Sequence, residues 1–378
     1  MPPENHAAYL VTTRAKPLEV RPAPYTPPGP DEIVVKNGAI AVNPVDSGKQ
    51  LGGDHMLTWI KYPFVLGSDV AGEVVEVGAG GRAAQLFKVG DRVLGHAISL
   101  DRRSAKPSEG AFQQYTVLRS NMVAKIPNSL PYENACVLPL GISTAACGLF
   151  MEDFCALRHP TSLKLHDDQQ PATAFIVWGG STSVGSNAVQ LAKAAGYEVL
   201  ATASPKNFDY LKDLGASQVF DYKDPNAVTA MIAYLKDKTC AGAIAIGSGS
   251  MEACIDIVAA VPGRRFVAQT SVPLNVAEMP SSSLGMMGVM LGYMWWNVAI
   301  SVRARIKGVA TKFIWAADVV SNEVGEMIYN DFLPRELASG RYKVKPDPQV
   351  VGRGLEYVQE ALDTNLRGVS ATKVVVSL

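Results

Sequence analysis

Cysteine is scarce and poorly placed for bonding. The five, Cys136, Cys147, Cys155, Cys240 and Cys254, are odd in number and include no C-x-x-C pair and no cluster of four. That argues against a disulfide framework and a structural zinc, and a reducing compartment is expected. Excess charge is missing as well. Thirty-five basic residues balance 35 acidic ones, so the chain lacks the basic field that nucleic-acid binding needs. The opening MPPENHAAYLVTTRAKP has neither a basic segment leading into an apolar core nor a small-residue cleavage site, and the cytosol is the expected location. Of long apolar runs there is one, Leu284 to Ile300 (LGMMGVMLGYMWWNVAI), at the lower edge of a membrane-spanning length. It holds three glycines and Asn297 between segments that read as one globular domain, and no membrane association is expected.

What is present is apolar bulk. Hydrophobic residues make up 48% and charged residues 19% of 378 positions, enough for large cores and too long for a single one, so two domains are expected. Residues 31–42 (DEIVVKNGAIAV), 65–81 and 87–96 are β-branched runs punctuated by glycine, the pattern of an antiparallel β domain over the first 125 or so residues.

From about residue 172 the rhythm becomes strand, turn, helix. TAFIVWG is followed by a glycine-serine turn and by SVGSNAVQLAKAAGY, where Val184, Ala188, Leu191 and Ala195 recur at helical spacing. Strands at 198–203, 218–222, 241–248, 264–269 and 306–310 alternate with helices near 207–214, 225–237 and 250–260. This alternation predicts right-handed βαβ units and a doubly wound parallel sheet, an α/β fold. The tail predicts an amphipathic helix from about 319, a strand at 342–345 (YKVK), a helix over 352–366 and a last strand, TKVVVSL.

The first of these turns reads Gly179-Gly180-Ser181-Thr182-Ser183-Val184-Gly185. Small residues there let the backbone approach a pyrophosphate on the N-terminus of the next helix. Its spacing is G-x-x-T-x-x-G, with Thr182 where a middle glycine is usual. An ordinary tight strand-to-helix turn is the competing reading. After the second strand, where an NAD site offers an acid to the ribose, stand Ser204, Lys206 and Asn207. A hydroxyl, an ammonium and an amide suit a 2′-phosphate, so NADPH is expected over NADH. Tyr222, after the third strand, is placed to stack beside the adenine or simply to pack.

The N-terminal β domain with VGDRV, the nucleotide domain and the C-terminal return together resemble the medium-chain dehydrogenase/reductase superfamily over nearly the whole chain. AVNPVDSGK (41–49), FVLGSDVAGEVVEVG (64–78), PLGISTAACGL (139–149) and ASPKNFDYLKDLGASQVFDY (203–222) are similar to the zinc-independent quinone oxidoreductases. Within them, the likeness is to the fungal branch of trans-acting enoyl reductases and of proteins often labelled zinc-binding oxidoreductases. The resemblance implies a GroES-like β-barrel domain over 1–138, completed by 319–378. It also implies a Rossmann domain over 139–318 with an apolar insertion near 276–305.

Zinc alcohol dehydrogenases place a cysteine where this chain has Asn43-Pro44-Val45 and a His-Glu pair where it has Ser68-Asp69. The segment 97–112 has no cysteine, and none of His6, His55, His96, His159 and His166 fills a recognisable ligand spacing. No metal is expected. Without a Lewis acid, oxidation of an unactivated alcohol is hard. Reduction of an α,β-unsaturated carbonyl asks less: hydride reaches the β carbon, the enolate oxygen needs hydrogen-bond donors, and the α carbon takes a proton.

By the same resemblance Asn43, Asp46 and Lys49 lie at the mouth of an interdomain cleft, with Lys49, in a glycine-flanked loop, as the donor to the substrate carbonyl and Pro44 against the cofactor. Gly141, Ile142 and Thr144 lie beside nicotinamide, ribose and substrate, although Thr144 reads equally as a helix cap. Ile246, Gly247 and Ser248 end the fourth parallel strand, where a doubly wound fold places its ligand. Gln269, Thr270, Ser271 and Val272 end the fifth, and Gly368 with Val369 meets the cofactor from the C-terminal return. The apolar stretch, with Met290 and Trp295, has three readings: a wall or lid for a long apolar substrate, a dimer or partner contact, or a core helix.

The expected activity is NADPH-dependent reduction of a conjugated double bond, on a thioester presented by a polyketide synthase. The alternatives are reduction of free enones or quinones, and a non-catalytic NADPH-binding partner protein. A monomer and a homodimer are both compatible with the sequence.

Overall fold

The structure, a computed structural model, describes residues 3–160, 173–273, 279–280 and 282–378. His166 and the start of the expected insertion, 276–278, lie outside them. The chain divides into two compact units, one running to Leu140 and resumed over Val320–Leu378, the other spanning Gly141 to Val319.

The first unit is built on antiparallel sheet. The long strand Glu32–Ala41 pairs with Asp69–Val77 on one side, and Arg92–His96 and Val123–Lys125 follow in the same sheet. On its other side lies the last strand, Thr372–Ser377, in register Val375 against Ala41. A smaller sheet joins Glu19–Ala23, Asn5–Leu10 and Phe64–Val65. The Val, Ile and Ala residues of these runs are buried on both faces, since the neighbours Val34 and Val35, Ile40 and Ala41, and Val70 and Ala71 are each at most 1% exposed.

The second unit is a six-stranded sheet whose named pairings are parallel. Its order runs Gln218–Asp221, Glu198–Ala203, Ala174–Trp178, Cys240–Ala245, Phe266–Gln269, Ala310–Phe313. Helices Ser183–Ala194, Phe208–Asp213, Ala227–Leu235 and Ser250–Ala260 connect the first five. The order reverses beside Ala174–Trp178, the switch point at which such sheets bind ligands.

Three sequence expectations shift. The strand predicted at 306–310 starts at Ala310, because the apolar helix runs through Ile306 and Gly308 makes the turn. No strand forms at 342–345: Tyr342 is buried edge-on to Phe332 at 5.8 Å, so its apolar character serves a helix contact. The strand paired with Thr372–Ser377 is Asp347–Arg353, and the helix expected from 352 proper is Val358–Arg367. The core-helix reading of 284–300 also fails, since Leu284 and Trp295 are each 75% exposed.

Candidate active site

In the second unit the ligand edge is set by register. Ala245 pairs with Trp178 and with Gln269, and Ala203 pairs with Asp221, so the strands end level with one another. Beyond those ends the chain places together Gly179–Gly185, Ser204–Asn207, Tyr222, Ile246–Ser248 and Thr270–Val272. Cross-links hold them: the Ile246 amide donates to Trp178 O (3.1 Å), Gly247 N–H to Ser271 Oγ (3.0 Å), and Thr270 Oγ1 to Ala245 O (2.9 Å).

The glycine turn is closed by the residue that departs from the usual pattern. Thr182 caps the helix Ser183–Ala194, its hydroxyl donating to Gly179 O (2.8 Å) and accepting from Gly185 N–H (3.0 Å). Gly185 is required by contact, because a Cβ there would lie 2.2 Å from Gly179 O. Val184 and Ser181 are half-buried, and Gly180 N–H donates to Thr202 O (2.8 Å). Gly141, near the start of helix Pro139–Phe150, has the Ser183 hydroxyl 2.6 Å from where its Cβ would stand. Ile142 is buried there and Thr144 half-buried. Ser183 Oγ is itself buried with no hydrogen-bond partner. An orphaned hydroxyl at the first turn of a capped helix fits a phosphate group, since free N–H donors and the helix dipole favour an anion there.

Around the second strand end, Ser204 Oγ lies 3.5 Å from the Tyr222 hydroxyl. Lys206 is exposed, Asn207 is buried, and Tyr222 is 44% exposed. Sequence reasoning passed over Lys223, whose ammonium sits 5.9 Å from the Tyr222 ring centre and adds a second cation to the patch. It follows Tyr222 directly, and that adjacency was the available signal.

In the first unit, Asn43, Asp46 and Asp69 form a buried polar cluster with Lys373. Asp69 Oδ2 accepts from Asn43 Nδ2 (2.8 Å) and from Lys373 Nζ (2.7 Å), while Asp69 Oδ1 accepts the Leu140 N–H (2.6 Å). Lys373 also donates to Asn43 Oδ1. Asp46 is wholly buried, accepting from the backbone N–H of Asn43 (2.9 Å) and of Gly67 (3.1 Å). Burial, reinforced by the Asp69 charge, pushes its carboxyl up to about 7 against the pull of those amides and Lys373. His96 is buried nearby, and desolvation holds its imidazole down to about 4.

Lys49, expected in a loop, stands in the helix Pro44–Gly52, which begins at the exposed Pro44. Its side chain is fully buried, and its ammonium donates to the carbonyls of Gly53 and Met56 (both 2.9 Å) and Leu57 (3.5 Å). Desolvation lowers its pKa from the ordinary lysine value. Gly368 and Val369 are exposed at the end of helix Val358–Arg367, and Met290 is 40% exposed on the apolar helix. Lys373 was missed because a lone lysine in TKVVVSL reads as the outward member of an alternating strand.

Among the described residues no three His, Cys, Asp or Glu side chains gather as metal ligands. The donor set at Asn43 and Asp69 does not fit zinc either. An amide and a carboxylate already neutralised by an ammonium lack the nitrogen and sulfur donors of a catalytic site.

A parallel nucleotide-binding sheet with a capped glycine turn, together with a GroES-like antiparallel unit, defines a two-domain pyridine-nucleotide oxidoreductase. Residues 29–128 match the alcohol dehydrogenase GroES-like domain and residues 183–299 the zinc-binding dehydrogenase domain. The chain is 48% identical to dehydrogenase pigH of Monascus ruber over 378 residues, all of both chains. It is 37% identical to the trans-enoyl reductase himH of Aspergillus japonicus, over 99% of this chain and 97% of that one. Mycobacterial Rv1454c, solved with NADPH, has the same fold with a TM-score of 0.66 at 20% identity, over 99% of this chain and 100% of that one. The chain belongs to the medium-chain dehydrogenase/reductase superfamily.

Proposed function

We propose that the protein reduces an activated carbon-carbon double bond with NADPH, without metal, on an enoyl thioester presented in trans by a polyketide synthase in the cytoplasm. The observation that supports the cofactor choice is the segment directly after the second strand, Ser204-Pro205-Lys206-Asn207, which holds no carboxylate and has Tyr222 and Lys223 beside it, with Asp221 engaged by the Lys223 N–H. An acid there would repel a 2′-phosphate, whereas two ammonium groups and two hydroxyls attract one. The substrate class draws support from the full-length relative named a trans-enoyl reductase.

When bound, NADPH supplies the hydride. The chain contributes the cradle for its phosphates: the turn Gly179–Gly185, the unpartnered Ser183 hydroxyl and the N-terminus of the following helix. Ile246–Ser248 and Gln269–Val272 line the same strand ends for nicotinamide and substrate, with Gly141, Ile142 and the Thr144 hydroxyl on the neighbouring helix. Gly368 and Val369 are assigned to the cofactor. Asn43, Asp46 and Lys49 act by fixing the helix Pro44–Gly52, since their polar atoms already have protein partners. A donor set with Lys373 in place of a divalent cation suits hydride addition to an electron-poor alkene better than alcohol oxidation.

The test is NADPH consumption against pantetheine enoyl thioesters of increasing chain length, free enones and quinones. Turnover of thioesters alone is expected. Turnover of enones or quinones but not thioesters would transfer the assignment to free substrates. NADPH binding with no oxidation on any of them would make the protein a non-catalytic partner.

A further inference from the structure

The peptide group between Pro139 and Leu140 is gripped on both of its polar atoms. Its carbonyl accepts from the Tyr329 hydroxyl (2.8 Å), and its N–H donates to Asp69 Oδ1 (2.6 Å). Both side chains are fully buried, and the bond to Asp69 is charge-assisted. Asp69 is itself fixed, because Asn43 and Lys373 hold its other oxygen at 2.8 and 2.7 Å. Tyr329 comes from the π-helical stretch Met327–Phe332, a rare winding that is frequent at functional sites. Satisfying the first turn of helix Pro139–Phe150 requires only one of these bonds. Leu140 is among the leading residues whose N–H has no partner inside the helix, so a carboxylate there is ordinary capping. The Pro139 carbonyl is different. In a helix it already accepts from the amide four residues on, and Tyr329 brings a second donor to it. The two side chains together fix the plane of the peptide as well as its hydrogen bonding.

The residue that follows this peptide meets the phosphate turn. A Cβ on Gly141 would stand 2.6 Å from Ser183 Oγ and 3.0 Å from Asn187 Nδ2. Ser183 Oγ is the hydroxyl without a partner, and Asn187 Nδ2 donates to the Ser183 carbonyl (2.7 Å). No spare residue separates the gripped peptide from this contact, so a shift of Pro139–Leu140 passes directly to Gly141. We propose that Tyr329 is a positioning residue for hydride transfer. Against Asp69 it sets the first turn of helix Pro139–Phe150, and with it the placement of Gly141, Ile142 and Thr144 toward nicotinamide. This role rests on the assignment of those three residues to nicotinamide and substrate. Its signature is specific, because a small displacement of the reacting ring slows the chemical step while the phosphates stay bound.

The experiment compares Tyr329→Phe with the parent and with Tyr25→Phe, which removes a hydroxyl bonded to Glu76 (2.6 Å) elsewhere in the same unit. Circular dichroism and thermal unfolding check that each variant is folded. With the acceptor that the parent reduces fastest, Tyr329→Phe should lose about tenfold or more in kcat. Its KM for the acceptor and Kd for NADPH should stay within about twofold, and the isotope effect with NADPH deuterated at the transferred position should rise. Tyr25→Phe should match the parent. At saturating NADPH the fluorescence of the bound nicotinamide should change in Tyr329→Phe and not in Tyr25→Phe. That signal needs no turnover, so a parent that reduces no acceptor refutes the substrate assignment and leaves the fluorescence to decide the positioning role. A kcat within twofold of the parent would overturn the proposal, as would a loss shared equally by Tyr25→Phe or one confined to NADPH affinity. In a parent without turnover, unchanged fluorescence would overturn it.

Discussion

Lys373 Nζ lies 2.7 Å from Asp69 Oδ2, and both side chains are buried, at 5% and 0% exposure. The pair joins the last strand to the strand Asp69–Val77, and Asn43 bridges both partners. Lys373→Met leaves the Asp69 carboxylate uncompensated in a desolvated site, and the expected loss is about 3–5 kcal/mol of unfolding free energy. The double variant Lys373→Met with Asp69→Asn should lose less than the sum of the singles. Urea unfolding of the four proteins measures the coupling, and strict additivity would contradict it.

Asp46 gives the first unit a pH dependence of defined sign. Its carboxyl titrates near 7 in the folded protein and near the ordinary aspartate value when unfolded. The folded state therefore holds the proton more tightly, and stability from this group is complete below the unfolded value and lost as pH rises through about 7. The slope is at most about 1.4 kcal/mol per pH unit for one proton. Unfolding free energies at pH 5 and pH 8 should differ by less in Asp46→Asn than in the parent, whatever the absolute cost of the substitution.

Gly185→Ala should weaken cofactor binding. The added methyl would fall 2.2 Å from Gly179 O, so the turn cannot keep its shape. Isothermal titration with NADPH should show at least a tenfold loss, with circular dichroism retained.

Lys206→Ala should weaken NADPH about tenfold and leave NADH nearly unchanged, because only NADPH carries the 2′-phosphate. The effect should shrink as salt is added, since Lys206 is exposed. Equal weakening of the two coenzymes would remove Lys206 from the phosphate site, and Lys223→Ala supplies the companion measurement.

Lys49→Met should lower the unfolding free energy by about 1–3 kcal/mol, because the carbonyls of Gly53 and Met56 lose their buried donor. NADPH affinity should hold.

The parts of the fold written in local pattern were legible. Strand-turn-helix alternation from 172 onward marked the parallel sheet, and Gly179–Gly185 marked the tight turn between its first strand and helix. Contacts that depend on distant residues were not. Lys373 looks like a solvated position until Asp69 and Asn43 are brought beside it, and Lys49 looks like a loop cation until three carbonyls enclose it. Tyr342 suggested a strand because an apolar side chain packing on a helix and one facing a sheet leave the same trace in sequence. The apolar run 284–300 gave its composition but not its exposure, because periodicity alone does not say which of two faces finds a neighbour.

The last strand has a consequence for the order of synthesis. Asn43 and Lys373 are 330 positions apart, and Val375 closes against Ala41. The residues of the nucleotide-binding unit, Gly141 to Val319, are made before Thr372–Ser377, while the other unit lacks that closing strand and its buried cation until those residues are made. A nascent chain stalled before residue 370 would therefore hold every strand of the parallel sheet but not the strand that closes against Ala41, and removal of residues 372–377 would injure the unit that contains Glu32–Ala41.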